Sequence, residues 1–365
     1  MSSQVQIPKT MKAIQADKTG GPEVNVLREI PVPQPKDNEV LIKVQWTGVN
    51  YIDIYFRTGL YPKPSYPYTI GQDAVGTIVS LPPASSSSSN PSLKIGQKVY
   101  TTAGNAFAEY LVAPVDRVAV LPDDLKPEDA KDGVSMATQG LTALYLVKES
   151  YAIRKGDWVL VRAAAGGVGL ILTQVTFGSS FNNASLHQDR FGLRLAKHLG
   201  ANVIGTVSSS QKAEIVTQNG VDHVLLTTAP SEENVKKVLE LTGGQGVHAV
   251  YDSVGKDTWD EDFEVVRRKG TVVSYGNASG AVPAFTLAKL TPKAVKITRP
   301  TLFAIVNTQQ EWTEYTDELT DLTRNGVTKY AVHKVYDFTE EGVRQAQVDI
   351  EGRGTSGKLL IHVSD

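Results

Sequence analysis

The sequence predicts an α/β protein in which a parallel, doubly wound sheet is inserted into a β-rich region. Three observations predict it. From Asp157 to about Gly280, short apolar runs alternate with helical stretches, the pattern of parallel strands joined by helical crossovers. The first ~130 residues read instead as strands punctuated by glycine and proline. The chain then closes on another strand-like run, Gly357-Lys-Leu-Leu-Ile-His-Val363. A length of 365 residues suits two such domains.

The elements follow in order. Met1 to Thr10 is a polar leader, and Met11-Lys-Ala-Ile begins the first strand-like segment. Val40-Leu-Ile-Lys-Val-Gln-Trp46, Ala74-Val-Gly-Thr-Ile-Val79, Lys98-Val-Tyr-Thr101 and Ala108-Glu-Tyr-Leu-Val112 continue the β-rich part. Leu81 to Pro91 is polar and serine-rich, with nothing to bury, and reads as a lengthened surface hairpin loop. In the central part, Trp158 to Arg162, Asn202 to Thr206, Asp222 to Leu226, Ala249 to Asp252 and Thr271 to Tyr275 are apolar strands. Asn234 to Leu241 and Thr258 to Val266 are helical stretches between them, and a later helix lies around Trp312 to Thr323.

Composition excludes several chemistries. The chain has no cysteine, so disulfides, thiolate nucleophiles and cysteine-ligated zinc are ruled out. With 37 basic against 39 acidic residues and a net charge of −2, there is no electrostatic footprint for nucleic acid or a membrane. No run of about 18 apolar residues is present. The polar N-terminus lacks a secretory core, so a cytoplasmic location is expected.

The strongest chemical signal is Val159-Leu-Val-Arg-Ala-Ala-Ala-Gly-Gly-Val-Gly-Leu-Ile-Leu172. A buried strand runs into a glycine-rich turn and then a helix. Fitted to G-x-G-x-x-G, the key positions are Ala164, Gly166 and Gly169. Gly166 lets backbone approach a pyrophosphate, and Gly169 lets the helix pack on the strand. The bland reading is a tight strand–helix turn; the strand–helix units that follow favour a dinucleotide.

The second strand should end about 20 residues later, yet Gly169 and Ser208 are 39 residues apart. Val175 to Arg194 has no helical period and is rich in Ser and Asn; setting these 20 residues aside leaves a spacing of 19. The flanks Gly169 to Gln174 and Leu195 to Gly200 would then join into one amphipathic helix. The segment is either a genuine excursion or a retained, frame-preserving intron.

Beyond that strand no carboxylate stands where a ribose 2′-hydroxyl would need one. Ser208, Ser209, Ser210 and Lys212 stand there instead. Hydroxyls and an ammonium suit a 2′-phosphate, so NADPH is expected over NADH. Serine also serves as a helix N-cap, and both roles can hold together.

These and four further segments carry a family resemblance. They are Gly48-Val-Asn-Tyr-Ile-Asp-Ile-Tyr-Phe-Arg-Thr-Gly-Leu-Tyr-Pro62, Gln139-Gly-Leu-Thr-Ala143, Tyr251-Asp-Ser-Val-Gly-Lys256 and Ser274-Tyr-Gly-Asn-Ala-Ser-Gly280. The sequence resembles the zinc-free, ζ-crystallin-like quinone oxidoreductases of the medium-chain dehydrogenase/reductase superfamily, and looks closest to fungal members. The resemblance implies a GroES-like catalytic domain over residues 1–130, resumed at 291–365. A Rossmann domain over 131–290, carrying the 175–194 insert, lies between. It implies NADPH in the cleft, a quinone or other small electrophile as acceptor, and a homodimer. Gly71-Gln-Asp73 stands where zinc-dependent relatives carry Gly-His-Glu, and the histidines (187, 198, 223, 248, 333, 362) form no plausible cluster, so no metal is expected.

Without a metal, the protein must hold acceptor and NADPH together and stabilise developing oxyanion character. Asn50, Tyr55 and nearby Gln72 are the candidates, as hydrogen-bond partners of the acceptor oxygen or the carboxamide. Tyr55 has an alternative role as cleft-wall packing. For the cofactor the resemblance implies Gln139, Gly166, Gly167, Val168, Ser208, Ser209, Lys212, Ser253, Gly276, Asn277, Phe303 and Arg353. Asp252 and Arg353 could equally be structural. Thr227 stands near the position where relatives often carry a tyrosine that packs the adenine.

NADPH-dependent quinone reduction is the leading expectation. The alternatives are reduction of 2-alkenals or enones, with Tyr55 as proton donor, and cofactor-sensitive binding of AU-rich RNA. The second rests on resemblance alone, because Arg267-Arg-Lys269 reads as a solvated helix end near a strand.

Overall fold

The computed structural model describes residues 6–62, 65–82, 93–122, 130–176 and 200–364. Residues 177–194 of the expected insert, and 83–91 of the serine-rich loop, lie outside the described residues. The strands are β1 (Thr10–Ala16), β2 (Val26–Pro31), β3 (Glu39–Val49), β4 (Tyr68–Thr69), β5 (Asp73–Ser80), β6 (Lys98–Thr101), β7 (Tyr110–Pro114) and β8 (Val118–Val120). There follow β9 (Trp158–Val161), β10 (Asn202–Val207), β11 (His223–Leu226), β12 (Val247–Asp252), β13 (Val266–Ser274), β14 (Lys296–Thr298), β15 (Val332–Asp337) and β16 (Lys358–His362). The chain divides into two compact units: Met1–Thr138, Thr308–Thr316 and Val332–Asp365 form the first, Gln139–Asn307 and Asp317–Ala331 the second. The C-terminal return to the first unit thus comes mainly at residue 332, later than the 291 expected, because β14 pairs with β13 and keeps that stretch in the second unit.

The first unit is built on a seven-stranded sheet of order β15-β16-β3-β5-β6-β8, with β7 also paired to β3, and a small β2-β1-β4 sheet. β3 shows why the sequence makes a strand here. Val40, Ile42 and Val44 enter one core with Ala74, Ile78 and Leu111, while Leu41 enters another with Val79. Period-two alternation with both faces buried gives the near-continuous apolar run. β16 closes against β3 in antiparallel register, Leu360 opposite Gly48, and β5 lies on the other side, Asp73 opposite Gly48.

The second unit holds a fully parallel six-stranded sheet, β11-β10-β9-β12-β13-β14. This is the Rossmann order, in which the strand sequence reverses beside the first strand. Ile204, Leu160, Val250 and Val272 are register partners across four of these strands, and Trp259 joins them in one buried core. Burying one such side chain contributes roughly 1.5–3 kcal/mol.

Three details differ from expectation. The helix Gly167–Thr176 continues through Val175, which is 2% exposed, so the chain stays helical past the expected break at Gln174. Arg267 to Lys269 lie in β13 rather than at a helix end: the helix Trp259–Val265 stops at Val265, and Val266 already pairs with Val247. The helix Glu340–Glu351 was not foreseen. Among the described residues no helix is long and apolar enough to cross a membrane.

Candidate nucleotide and acceptor sites

In the second unit, the parallel strands bring β9, β10, β12 and β13 to one edge of the sheet by their C-terminal ends. Each end carries a buried polar residue that shapes the following loop. After β9 the chain turns through Arg162 to Gly166 into the helix Gly167–Thr176. Ala163 takes the left-handed φ of 50°. Its N–H donates to Thr206 Oγ1 (3.2 Å), and the Ala164 N–H donates to the Thr206 carbonyl (3.0 Å). A Cβ on Gly169 would lie 2.5 Å from the Ala163 carbonyl oxygen and 2.8 Å from that of Ala164, so only glycine lets the helix sit this close. A Cβ on Gly167 would fall 2.1 Å from Gln139 Nε2, which places the Gln139 side chain against the turn. A Cβ on Gly166 would meet only the Ala163 carbonyl, at 3.2 Å, and the turn is otherwise open there. Val168 is half-buried at the start of the helix.

After β10, Ser208 is exposed and Ser209 is the N-cap of the helix Ser210–Gln218, its Oγ accepting from the Lys212 N–H at 3.3 Å. The helix N-terminus adds a partial positive charge. Lys212 is half-buried, and that burial pushes its ammonium below the ordinary lysine pKa. Capping by Ser209 and a set made of the exposed Ser208 hydroxyl and the half-buried Lys212 ammonium therefore coexist in one turn.

After β12, the Asp252 carboxylate accepts from Val254 N–H (2.8 Å), Gly255 N–H (3.0 Å) and Thr258 Oγ1 (3.0 Å). Burial raises its pKa against the pull of these bonds. The loop so formed carries Ser253, whose carbonyl accepts from Ala278 N–H (3.0 Å). With its amide turned so that nitrogen and oxygen each meet a partner, Asn277 donates to the Gly276 carbonyl (2.9 Å) and accepts from Arg299 Nη2 (2.8 Å). Arg299 Nη1 also donates to the carbonyls of Ser274 and Gly276, both at 3.0 Å. Ser253, Gly276 and Asn277 thus lie side by side, held by Asp252 and by Arg299, which sequence reasoning missed. Arg162, 2% exposed, pairs with Glu261 (2.6 Å) and Asp262 (2.8 Å) beneath the turn. Desolvation pushes the fully buried Asp262 carboxyl well above its usual range despite this arginine. Phe303 projects from the short helix Leu302–Ile305 and is 44% exposed.

The acceptor candidates lie in the first unit. Asn50 precedes the helix Tyr51–Thr58; its N–H donates to Asp53 Oδ2 (2.8 Å), and its carbonyl accepts from the Asp53 N–H (3.0 Å). Its side chain is 6% exposed and committed. Asn50 Nδ2 donates to Asp73 Oδ1 (3.0 Å) and the Gly48 carbonyl (3.3 Å), and Oδ1 accepts from Lys358 Nζ (2.7 Å). Asn50 is therefore a buried anchor, with both amide donors used inside the protein. Tyr55, 8% exposed, packs between Tyr51, tilted with ring centroids 6.2 Å apart, and Tyr61, edge-on at 5.1 Å. Gln72 Nε2 donates to the Thr102 carbonyl (2.9 Å). Arg353 belongs to this unit too. It is exposed at the end of the helix Glu340–Glu351 with φ 56°, and its charge opposes the rise that burial gives the Tyr51 phenol pKa. Lys358 was missed; it stands at the start of β16, just before the apolar run Leu359-Leu-Ile361, and is 1% exposed. Among the described residues no group of three or more His, Asp or Glu could hold a metal ion.

A phosphate-type turn on a Rossmann sheet, with a separate GroES-type β unit, defines a dinucleotide-dependent dehydrogenase or reductase. Residues 36–123 match the alcohol dehydrogenase GroES-like domain, and residues 191–321 the zinc-binding dehydrogenase domain. The quinone oxidoreductase of Salmonella typhimurium is 35% identical over 352 residues, covering 95% of this chain and 98% of that protein. The crystal structure of Escherichia coli quinone oxidoreductase complexed with NADPH superposes with a TM-score of 0.84 at 33% identity, over 96% of this chain and all of that one. A 2-haloacrylate reductase from Burkholderia is 30% identical over 94% of this chain and 96% of that protein. The chain belongs to the quinone oxidoreductase family of the medium-chain dehydrogenase/reductase superfamily.

Proposed function

We propose that this protein reduces quinones with NADPH, without a bound metal. The observation that carries the reading is the set at the end of β10, Ser208, Ser209 and Lys212 with no carboxylate among them, in a chain 35% identical to a quinone oxidoreductase. The residues fit the dinucleotide: the turn at Gly166 is open, and a helix N-terminus stands behind it. NADPH, when bound, supplies the hydride. The N–H groups of Gly167 and Val168 at the helix start would hold the pyrophosphate, with Gln139 alongside and Gly166, whose own N–H is donated to the Ala163 carbonyl (2.9 Å), leaving room for its approach. Ser208, Ser209 and Lys212 hold the 2′-phosphate. Ser253, Gly276 and Asn277 orient the nicotinamide end, and Phe303 and Arg353 border the cofactor.

Tyr55 and Gln72 hydrogen-bond the acceptor oxygen as negative charge grows on it. Asn50, with its amide committed, acts by fixing the start of the Tyr55 helix. Reduction of an activated alkene is the second reading, favoured by the likeness to 2-haloacrylate reductase. Steady-state NADPH oxidation with ortho-quinones and with 2-alkenals decides between them, and turnover of alkenals alone overturns the first. Within the same proposal the protein is a homodimer: the central sheet ends on β14, and exposed Phe285 and Leu287 lie in the segment leading to it. Light scattering on the purified protein should give twice the chain mass.

A further inference from the structure

Lys358, Asp73 and Asn50 meet in the first unit from positions far apart in sequence. Lys358 Nζ donates to Asn50 Oδ1 at 2.7 Å and to Asp73 Oδ2 at 3.0 Å, and Asn50 Nδ2 donates to Asp73 Oδ1 at 3.0 Å. Lys358 is 1% exposed and Asp73 is fully buried. The sheet register makes the meeting possible, because Gly48 of β3 lies between β16 and β5. A Cβ at Gly48 would stand 2.2 Å from Lys358 Cε and 2.6 Å from Asp73 Oδ1, so the missing side chain is the space the pair occupies.

We propose that Lys358 is a positioning residue for acceptor reduction: with Asp73 it clamps the Asn50 amide and so sets the first turn of the helix that carries Tyr55. The inference rests on the proposed role of Tyr55. A buried ion pair adds little net stability over an apolar substitute of the same shape. What it adds is a single geometry. The ammonium can donate only to the oxygen of Asn50 and the carboxylate can accept only from its nitrogen, which leaves one orientation of the amide. Asn50 then holds the helix start through its carbonyl bond to the Asp53 N–H. Tyr51 at the first turn and Arg57 at the last tie the same helix sideways, to the Ile350 carbonyl (2.9 Å) and to Glu351 (2.7 Å), while the clamp fixes the orientation of the Asn50 amide that precedes it.

The test is a double-mutant cycle of Lys358→Met with Tyr55→Phe on the full chain. Lys358→Met should lower kcat about 10- to 100-fold with little change in acceptor KM, the range expected for displacing a positioned group. NADPH affinity by fluorescence titration should hold. The double variant should lose no more than the larger single loss. Additive losses, or an unchanged kcat, overturn the proposal. Hydrogen exchange gives a readout that needs no turnover. Amides of 51–58 should exchange faster in Lys358→Met while those of β10 do not, and unchanged protection across 51–58 also overturns it. If the wild type turns over only alkenals, or nothing, the quinone reading fails while the exchange result still decides the clamp. Should Lys358→Met not fold, the near-isosteric Asp73→Asn takes its place in both measurements, with the same outcomes.

Discussion

The two units build their sites in opposite ways. In the second, backbone does the shaping: a glycine turn, a helix N-terminus and loops at adjacent strand ends, each held by a neighbouring polar residue such as Thr206 or Asp252. In the first, side chains do it, through the Asn50–Asp73–Lys358 clamp and the Tyr51–Tyr55–Tyr61 ring cluster. Backbone sites tolerate changes in most side chains but not an added Cβ at a point of close approach. A side-chain site should respond to the loss of single functional groups.

The largest effect should come from adding atoms to the backbone site. Gly169→Val puts carbons where the Ala163 carbonyl already stands 2.5 Å from a Cβ. We expect NADPH affinity to fall more than about 100-fold, since the helix must withdraw from the turn that holds the pyrophosphate. Fluorescence titration measures it, and tight binding by this variant would show that the turn is not the cofactor site. Next is Tyr55→Phe, which removes one hydroxyl. A lost donor to a developing oxyanion lowers kcat by about 100-fold, with NADPH binding intact. An unchanged kcat would reduce Tyr55 to a packing residue.

This contrast also explains what could be read from the sequence. Five of the six parallel strands and the turn at 163–169 were legible because their signals are local: apolar runs, a glycine spacing, serines at a helix start; β14, only three residues long, carries no such run. The 20-residue insert obscured the second strand's spacing but not the strand itself. The clamp was illegible because Asn50 and Lys358 are 308 residues apart, and only the β16–β3 register joins them. Asn50 was singled out for its polarity, yet its amide proves to be consumed internally. Arg299 was hidden for a related reason, since two of its partners are the backbone carbonyls of Ser274 and Gly276, which no residue pattern announces.

A smaller effect should separate the two dinucleotides. Lys212→Ala should weaken NADPH binding about tenfold, the scale of one charge-assisted hydrogen bond, and leave NADH unchanged. The same residue gives a pH dependence. Burial lowers the Lys212 pKa, so as pH rises the ammonium is lost earlier than in an ordinary lysine. The preference for NADPH over NADH should therefore narrow on the alkaline side and hold at neutral pH. The alanine variant should lack this trend; if the trend persists in it, Lys212 is not the group that reads the 2′-phosphate.

The smallest effect should come from removing Val175 to Arg194, although it is the largest change in sequence. In the full chain the helix Gly167–Thr176 is in place, β9 and β10 pair from Asn202 opposite Trp158 to Gly205 opposite Val161, and Thr206 reaches back to the turn. Every backbone contact that shapes the phosphate turn is made with the segment present. Lengthening a connection costs little: doubling a loop adds only about 0.6 kcal/mol of closure entropy. We therefore expect the 345-residue form to bind NADPH within about threefold of the full chain by the same estimate. Loss of binding only in the full chain would mean that the segment obstructs a turn it leaves correctly folded, and that the shorter chain is the working enzyme. Loss only in the shortened form would show the reverse, that the helix past Gln174, where Val175 is buried, needs the segment to reach β10.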